Sequence, residues 1–165
     1  MSSSARPVKS SPVKTTDAVA LLKADHKQVK EWFEEFSAAR SSIRKQKLVT
    51  DICTALTVHA KIEEEIFYPA FLAATKDKDM HHEAVIEHDG AKKLIAQIEQ
   101  SDPSDDYFDN KVHVLSEMIK HHVKEEEQKD GMFDEAKQST KMDLAVLGAK
   151  LLERKNQLMA KLSKA

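Results

Sequence analysis

The chain has 165 residues, of which 41% are apolar, 33% charged and 5% aromatic, with three glycines and four prolines. That is one domain with enough apolar residues to bury a core, and the composition excludes a sheet protein in favour of long, little-interrupted helices. The net charge of −2 offers no field to nucleic acid or an anionic membrane surface, and no apolar run reaches the roughly 18 residues that a spanning helix needs.

Residues 1–15 are mostly Ser, Lys and Pro with little to bury, which predicts a disordered tail lacking the apolar segment of a secretory signal. Thr16 or Asp17 can then cap a first helix, in which Ala18, Leu22, Val29, Phe33 and Phe36 form one stripe with His26 inside it. A second helix is expected over 43–74, with Leu48, Ile52, Ala55, His59, Ile62, Ile66 and Ala70 inward. Pro69 should bend it near its end by removing a backbone donor. A third helix over 82–100 turns Val85, His88, Ala91, Leu94 or Ile95, and Ile98 inward. The turn-forming SDPSDD leads into a fourth over 106–137. Its inner face carries Phe108, Val112, Leu115, Ile119, His122, Glu126 and Phe133, and Gly131 weakens it locally. A last amphipathic stretch over 141–162, with Met142, Ala145, Ala149, Leu152, Met159 and Leu162, has no metal-binding type of residue on its apolar face.

Short connections between long helices make successive neighbours antiparallel. The expected fold is therefore all-α: an up-down-up-down four-helix bundle over 16–137, with an extra C-terminal helix in 138–165 packed on it. The single Cys53 can form no internal disulfide, which fits a reducing, cytoplasmic setting.

A core stripe should be apolar, yet each of the first four helices puts a histidine on its stripe and two add a glutamate. His59 and Glu63 are four residues apart, as are His122 and Glu126, a spacing that leaves both side chains on one face about a turn apart. The two pairs sit in similar phrases, VHAKIEEEIFYPAF and HHVKEEEQKDGMF. One histidine on an apolar stripe is ordinarily a hydrogen-bonded core residue. Four on separate stripes, with two matched acids, are not. Buried carboxylates demand a partner, and a metal cation supplies one; imidazole with carboxylate suits iron, manganese or zinc. Glu64, Glu65, Glu125 and Glu127 read as solvated faces or as partners behind the ligands. His81, His82, His113 and His121 fall off the stripes.

The order His-x-x-x-Glu differs from the Glu-x-x-His of ferritin-like carboxylate proteins. Taken together, His26, HAKIE from His59, EH ending at His88, and HVKEE from His122 resemble the hemerythrin HHE cation-binding domain over about 17–133. The resemblance implies two iron ions bridged by one oxygen, oxo or hydroxo, and by the carboxylates of Glu63 and Glu126. It gives His26 and His59 to one iron, and His88 and His122 to the other. Oxygen-carrying members have a fifth histidine where this chain has Ala84, and an Asp where it has Glu126. On that comparison both irons are expected to keep exchangeable positions, open to peroxide and nitric oxide as well as dioxygen.

The implied function is a di-iron protein that binds or reacts with dioxygen or a related small oxidant, in sensing or defence. Alternatives are catalase- or peroxidase-like turnover of hydrogen peroxide, iron buffering without turnover, and a structural helical protein with adventitious zinc. No nucleic-acid or membrane partner is expected, and the sequence leaves the oligomeric state open.

Overall fold

The computed structural model describes residues 16–163, so the expected tail at 1–15 lies outside the described residues. Helix α1 spans Ala18–Ala38 and starts where the Asp17 carboxylate accepts the Ala20 N–H at 2.8 Å, satisfying a free donor of the first turn. Ser41 does the same for α2, Ser42–Ile62, accepting from Arg44 at 3.1 Å. A π-helical turn follows at Glu63–Phe67, then α3 at Tyr68–Thr75, which stops at a left-handed Lys76. Asp77 caps α4, Lys78–Glu99, and after a short turn α5 covers Phe108–Glu127. Helix α6 is Met132–Gln138 and α7 is Leu144–Ser163.

The bundle is the expected one. Helix α1 packs chiefly on α2, α4 packs on α5, and the α2–α4 and α1–α5 contacts close the ring; α7 lies against α1, α2 and the π turn. Two apolar clusters fill it. One gathers Leu22, Phe67, Tyr68, Phe71 and Phe133 with α7, and the other gathers Val29, Phe33, Leu56, Ile95 and Leu115. The histidines lie between them. No helix among the described residues is long and apolar enough to cross a membrane.

Several faces differ from the expected ones, each for a local reason. The 43–74 helix is not uniform, because Pro69 has no N–H to give the Glu65 carbonyl. The chain instead widens by one residue, and the Tyr68 N–H reaches the Glu63 carbonyl five residues back. That extra residue rotates everything beyond it. Ile66 and Ala70 become half-buried, while Phe67, Tyr68 and Phe71 go fully inside. In α4 the buried position is Ala84 and not Val85. The fourth helix does not run to 137. It ends at Glu127, Asp130 adopts φ 61°, and Gly131 restarts the chain where a Cβ would lie 2.5 Å from the Glu125 carbonyl. In α7 the inward side is Gly148, Leu151 and Leu158, whereas Ala145, Ala149, Leu152, Met159 and Leu162 are exposed. Both faces carry leucines, and Gly148 decides between them: its bare Cα fits against the backbone of Thr16–Ala18, with the Thr16 oxygen 2.4 Å from where a Cβ would stand.

Candidate metal centre

The site begins with the residues beside the ligands. Successive residues on a helix differ by about 100°, so the neighbour of an inward side chain points sideways at the next helix. Asp25, next to His26 on α1, accepts the Nδ1–H of His59 on α2 at 2.9 Å. Glu87, next to His88 on α4, accepts from His122 Nδ1 on α5 at 2.8 Å. Glu127, next to Glu126 at the end of α5, accepts from His26 Nδ1 on α1 at 2.7 Å. Glu64 completes the circuit more loosely, 3.6 Å from His88 Nδ1. Each of the first three bonds fixes a ring and its tautomer, leaving Nε2 to face the bundle axis.

The Nε2 atoms meet in pairs, 3.1 Å apart for His26 and His59 and 3.2 Å for His88 and His122. Glu63 Oε1 lies between the pairs, 3.0 Å from His59 Nε2 and 3.3 Å from His88 Nε2. Glu126 Oε1 mirrors it, 3.0 Å from His122 Nε2 and 3.5 Å from His26 Nε2. All six sequence-derived residues are thus brought together and buried. Two overlapping clusters can each surround a cation: His26, His59, Glu63 and Glu126, and Glu63, His88 and His122.

This arrangement is self-consistent only around positive charge. Both Glu63 oxygens and Glu126 Oε1 are buried without an aligned hydrogen-bond donor, a costly condition for a carboxylate. Protons take a cation's place when none is bound. Burial pushes the His59 imidazole down, but Glu63 and Asp25 outweigh it and lift it to about 10. His122 is likewise raised against burial by Glu126. Burial also opposes ionisation of Glu63, yet His59 and His88 hold it well below the usual carboxylate range, while burial and the Glu63 charge raise Glu126. The outer acids Glu127 and Glu87 are held low by their bonds to His26 and His122.

Sequence reasoning missed one inner residue. The Tyr68 hydroxyl, brought inward by the π turn, stands 3.1 Å from His88 Nε2, 3.2 Å from His122 Nε2 and 3.2 Å from Glu126 Oε2. Burial and the two glutamates keep it a neutral phenol, far above its ordinary value. The His88–His122 half of the site therefore has a phenol hydroxyl beside its imidazoles. Pro69 was the available signal, since a proline deep inside a long helix forces a local change of register. The other half of the site has no counterpart: Phe133 stacks on the His26 ring, with centroids 5.8 Å apart and planes at 11°. His81 and His82 pair with each other at the surface, and His121 contacts Glu87 from outside at 3.1 Å.

A family model described as the hemerythrin HHE cation binding domain matches residues 17–132. Over 107 residues the chain is 30% identical to a DNA nickase of Nostoc sp. (strain PCC 7120), covering 65% of this chain but only 30% of that protein. It is also similar in fold to a hemerythrin HHE cation binding domain-containing protein of Mycobacterium kansasii, an Rv2633c homolog. That likeness has a TM-score of 0.73 at 23% identity and covers 88% of each chain.

Proposed function

The chain belongs to the hemerythrin HHE cation-binding family, and on that footing we propose that it holds two iron ions and reacts with a small oxidant: dioxygen, peroxide or nitric oxide. His26 and His59 would hold one iron and His88 and His122 the other, with the carboxylates of Glu63 and Glu126 set between the two halves. The observation that carries this reading is the set of partnerless carboxylate oxygens, Glu63 Oε1 and Oε2 and Glu126 Oε1, enclosed by four imidazole nitrogens. Bound iron supplies the redox change and the Lewis acidity.

The protein's own part is to orient and to exclude. Asp25, Glu87 and Glu127 aim the imidazoles, and Phe67, Phe71 and Phe133 keep water from one side. Tyr68 offers a hydroxyl beside the second iron in place of the carriers' fifth imidazole. A phenol kept neutral by burial and by the two glutamates would hold a proton at this end of the site, which favours reaction with an oxidant over reversible carriage. The same hydroxyl supports a second reading, catalase- or peroxidase-like turnover of hydrogen peroxide. The buried Cys53, without a disulfide partner, fits a reducing compartment such as the cytoplasm.

Elemental analysis of freshly purified protein, joined to its optical spectrum, tests the reading. Close to two irons per chain and the near-ultraviolet absorption of an oxo-bridged ferric pair are expected. One metal or fewer per chain, or a colourless zinc protein, would sink it.

A further inference from the structure

A cavity of about 310 Å³ opens between α2 and α4 and ends on the imidazoles of the metal centre. Leu56, Ala60, Ala91, Ile95 and Ile119 give it apolar walls, and the exposed Lys61 and Lys92 also line it. Tyr68 does not line it and is buried in a cluster with Phe67, Phe71 and Phe133. Dioxygen or hydrogen peroxide needs only the inner end of such a space. That volume includes the space among the four imidazoles that the metals would occupy; an apolar cavity of about half the volume already holds a benzene molecule, so the part walled by Leu56, Ile95 and Ile119 has room for an organic group.

We propose that this cavity binds the aliphatic chain of a small organic hydroperoxide, with the peroxide oxygens against the imidazole end and the chain running outward between Leu56, Ile95 and Ile119. The proposal rests on the di-iron reading for its chemistry and on the cavity for its specificity. Reduction breaks the O–O bond of ROOH to give ROH and H2O. The two protons come from water, and the two electrons come from an iron(II) pair that becomes iron(III). No other reductant is needed for a single turnover. The apolar walls favour the chain over water by burying it, and the buried histidines supply the polar end.

The test separates binding from reaction. With the iron-loaded protein, 1-hexanol serves as an unreactive probe and is followed by methyl NMR. The resonances of Leu56, Ile95, Ile119 and Met118, which also lines the cavity, should shift in a saturable way, while those of Leu151 and Leu158 stay in place. The anaerobically reduced protein is then mixed with hexyl hydroperoxide or with hydrogen peroxide. Ala91→Phe should lower the ratio of the two rates at least tenfold against the organic peroxide and abolish the hexanol shifts. Ile95→Ala, which opens the wall, should raise the ratio for a longer chain such as octyl hydroperoxide, and it keeps the test decisive if Ala91→Phe does not fold. Absence of hexanol shifts, or an unchanged rate ratio in both folded variants, would overturn the proposal. A protein that lacks iron but still shows the shifts would overturn the di-iron reading while leaving the cavity's binding role intact.

Discussion

The chain contains two similar phrases, and the two copies fold differently just past the shared part. In both, a histidine and a glutamate four residues on face the bundle centre from the end of a long helix: His59 on α2 with Glu63 just beyond it, and His122 with Glu126 on α5. Five residues after the glutamate the first copy has Tyr68 and the second has Gly131. The first copy keeps its helix by widening into a π turn, and that turn aims a hydroxyl at the centre. The second copy breaks, restarts at Gly131 and lays Phe133 flat against His26. A nearly symmetric ligand set is thereby given two unlike ends: a polar group beside the His88–His122 half, and an aromatic cover over the His26–His59 half.

What the two copies share should matter most. Glu63 and Glu126 each have an oxygen within 3.5 Å of one imidazole of each pair, which under the proposed di-iron reading makes both candidates for shared ligands. Glu63→Ala and Glu126→Ala should both drop metal content from about two ions per chain to well below one, measured by elemental analysis of folded protein. If one variant kept a full complement while the other lost it, the two glutamates would not be equivalent bridges.

What the copies do not share should separate spectroscopy from stability. Tyr68→Phe keeps the ring and its packing and removes only the hydroxyl, so iron content should stay near two. The visible spectrum and the rate of peroxide reaction should both change. Gly131→Ala should do the reverse. A methyl group there meets the Glu125 carbonyl at 2.5 Å and the Gln128 carbonyl at 2.9 Å, so some of the break must shift. A loss of about 1–3 kcal/mol in denaturant unfolding is expected with little spectral change. Identical spectra for Tyr68→Phe and the parent would show that the hydroxyl plays no part at the second metal.

The contrast also explains what could be read from the sequence. The bundle and the six inward-facing candidate ligands were legible because histidine and ionised glutamate are conspicuous on stripes that otherwise carry Leu, Ile and Phe. Tyr68 was not, because aromatic residues belong in a core and the α-helical count turns it outward; only a single inserted position, forced by Pro69, brings it inside. The inward face of α7 was misread for a related reason. Leu151 and Leu152 are equally apolar, and the choice depended on how closely Gly148 approaches another segment, which spacing within one helix does not encode. Of the outer acids, Glu64 and Glu127 read only as solvated faces or as partners behind the ligands, and Asp25 and Glu87 did not stand out at all, since the neighbour that each serves lies on a different helix.

Those outer acids provide the finest test of how the two ends are held. Glu127 bonds His26 at 2.7 Å and Asp25 bonds His59 at 2.9 Å, whereas Glu64 stands 3.6 Å from His88. Removing the partner of a ligating imidazole commonly costs about 10–100-fold in metal affinity. Glu127→Ala and Asp25→Ala should fall in that range, and Glu64→Ala should cost less because it breaks no hydrogen bond. Asp25 has a further dependence that ties α7 to the centre: its other oxygen accepts from Lys155 Nζ at 2.5 Å. Burial pushes the Asp25 carboxyl up, but His59 and Lys155 together hold it below its ordinary range, so it stays ionised and keeps His59 Nδ1 protonated. Lys155→Met preserves much of the aliphatic stem that packs across this region while removing the charge. It should weaken metal binding by less than Asp25→Ala, since the carboxylate remains, and the change should show in chelator competition with helicity unaltered. If Lys155→Met were as damaging as Asp25→Ala, α7 would be holding the His59 half of the centre in place, not merely stiffening one of its supports.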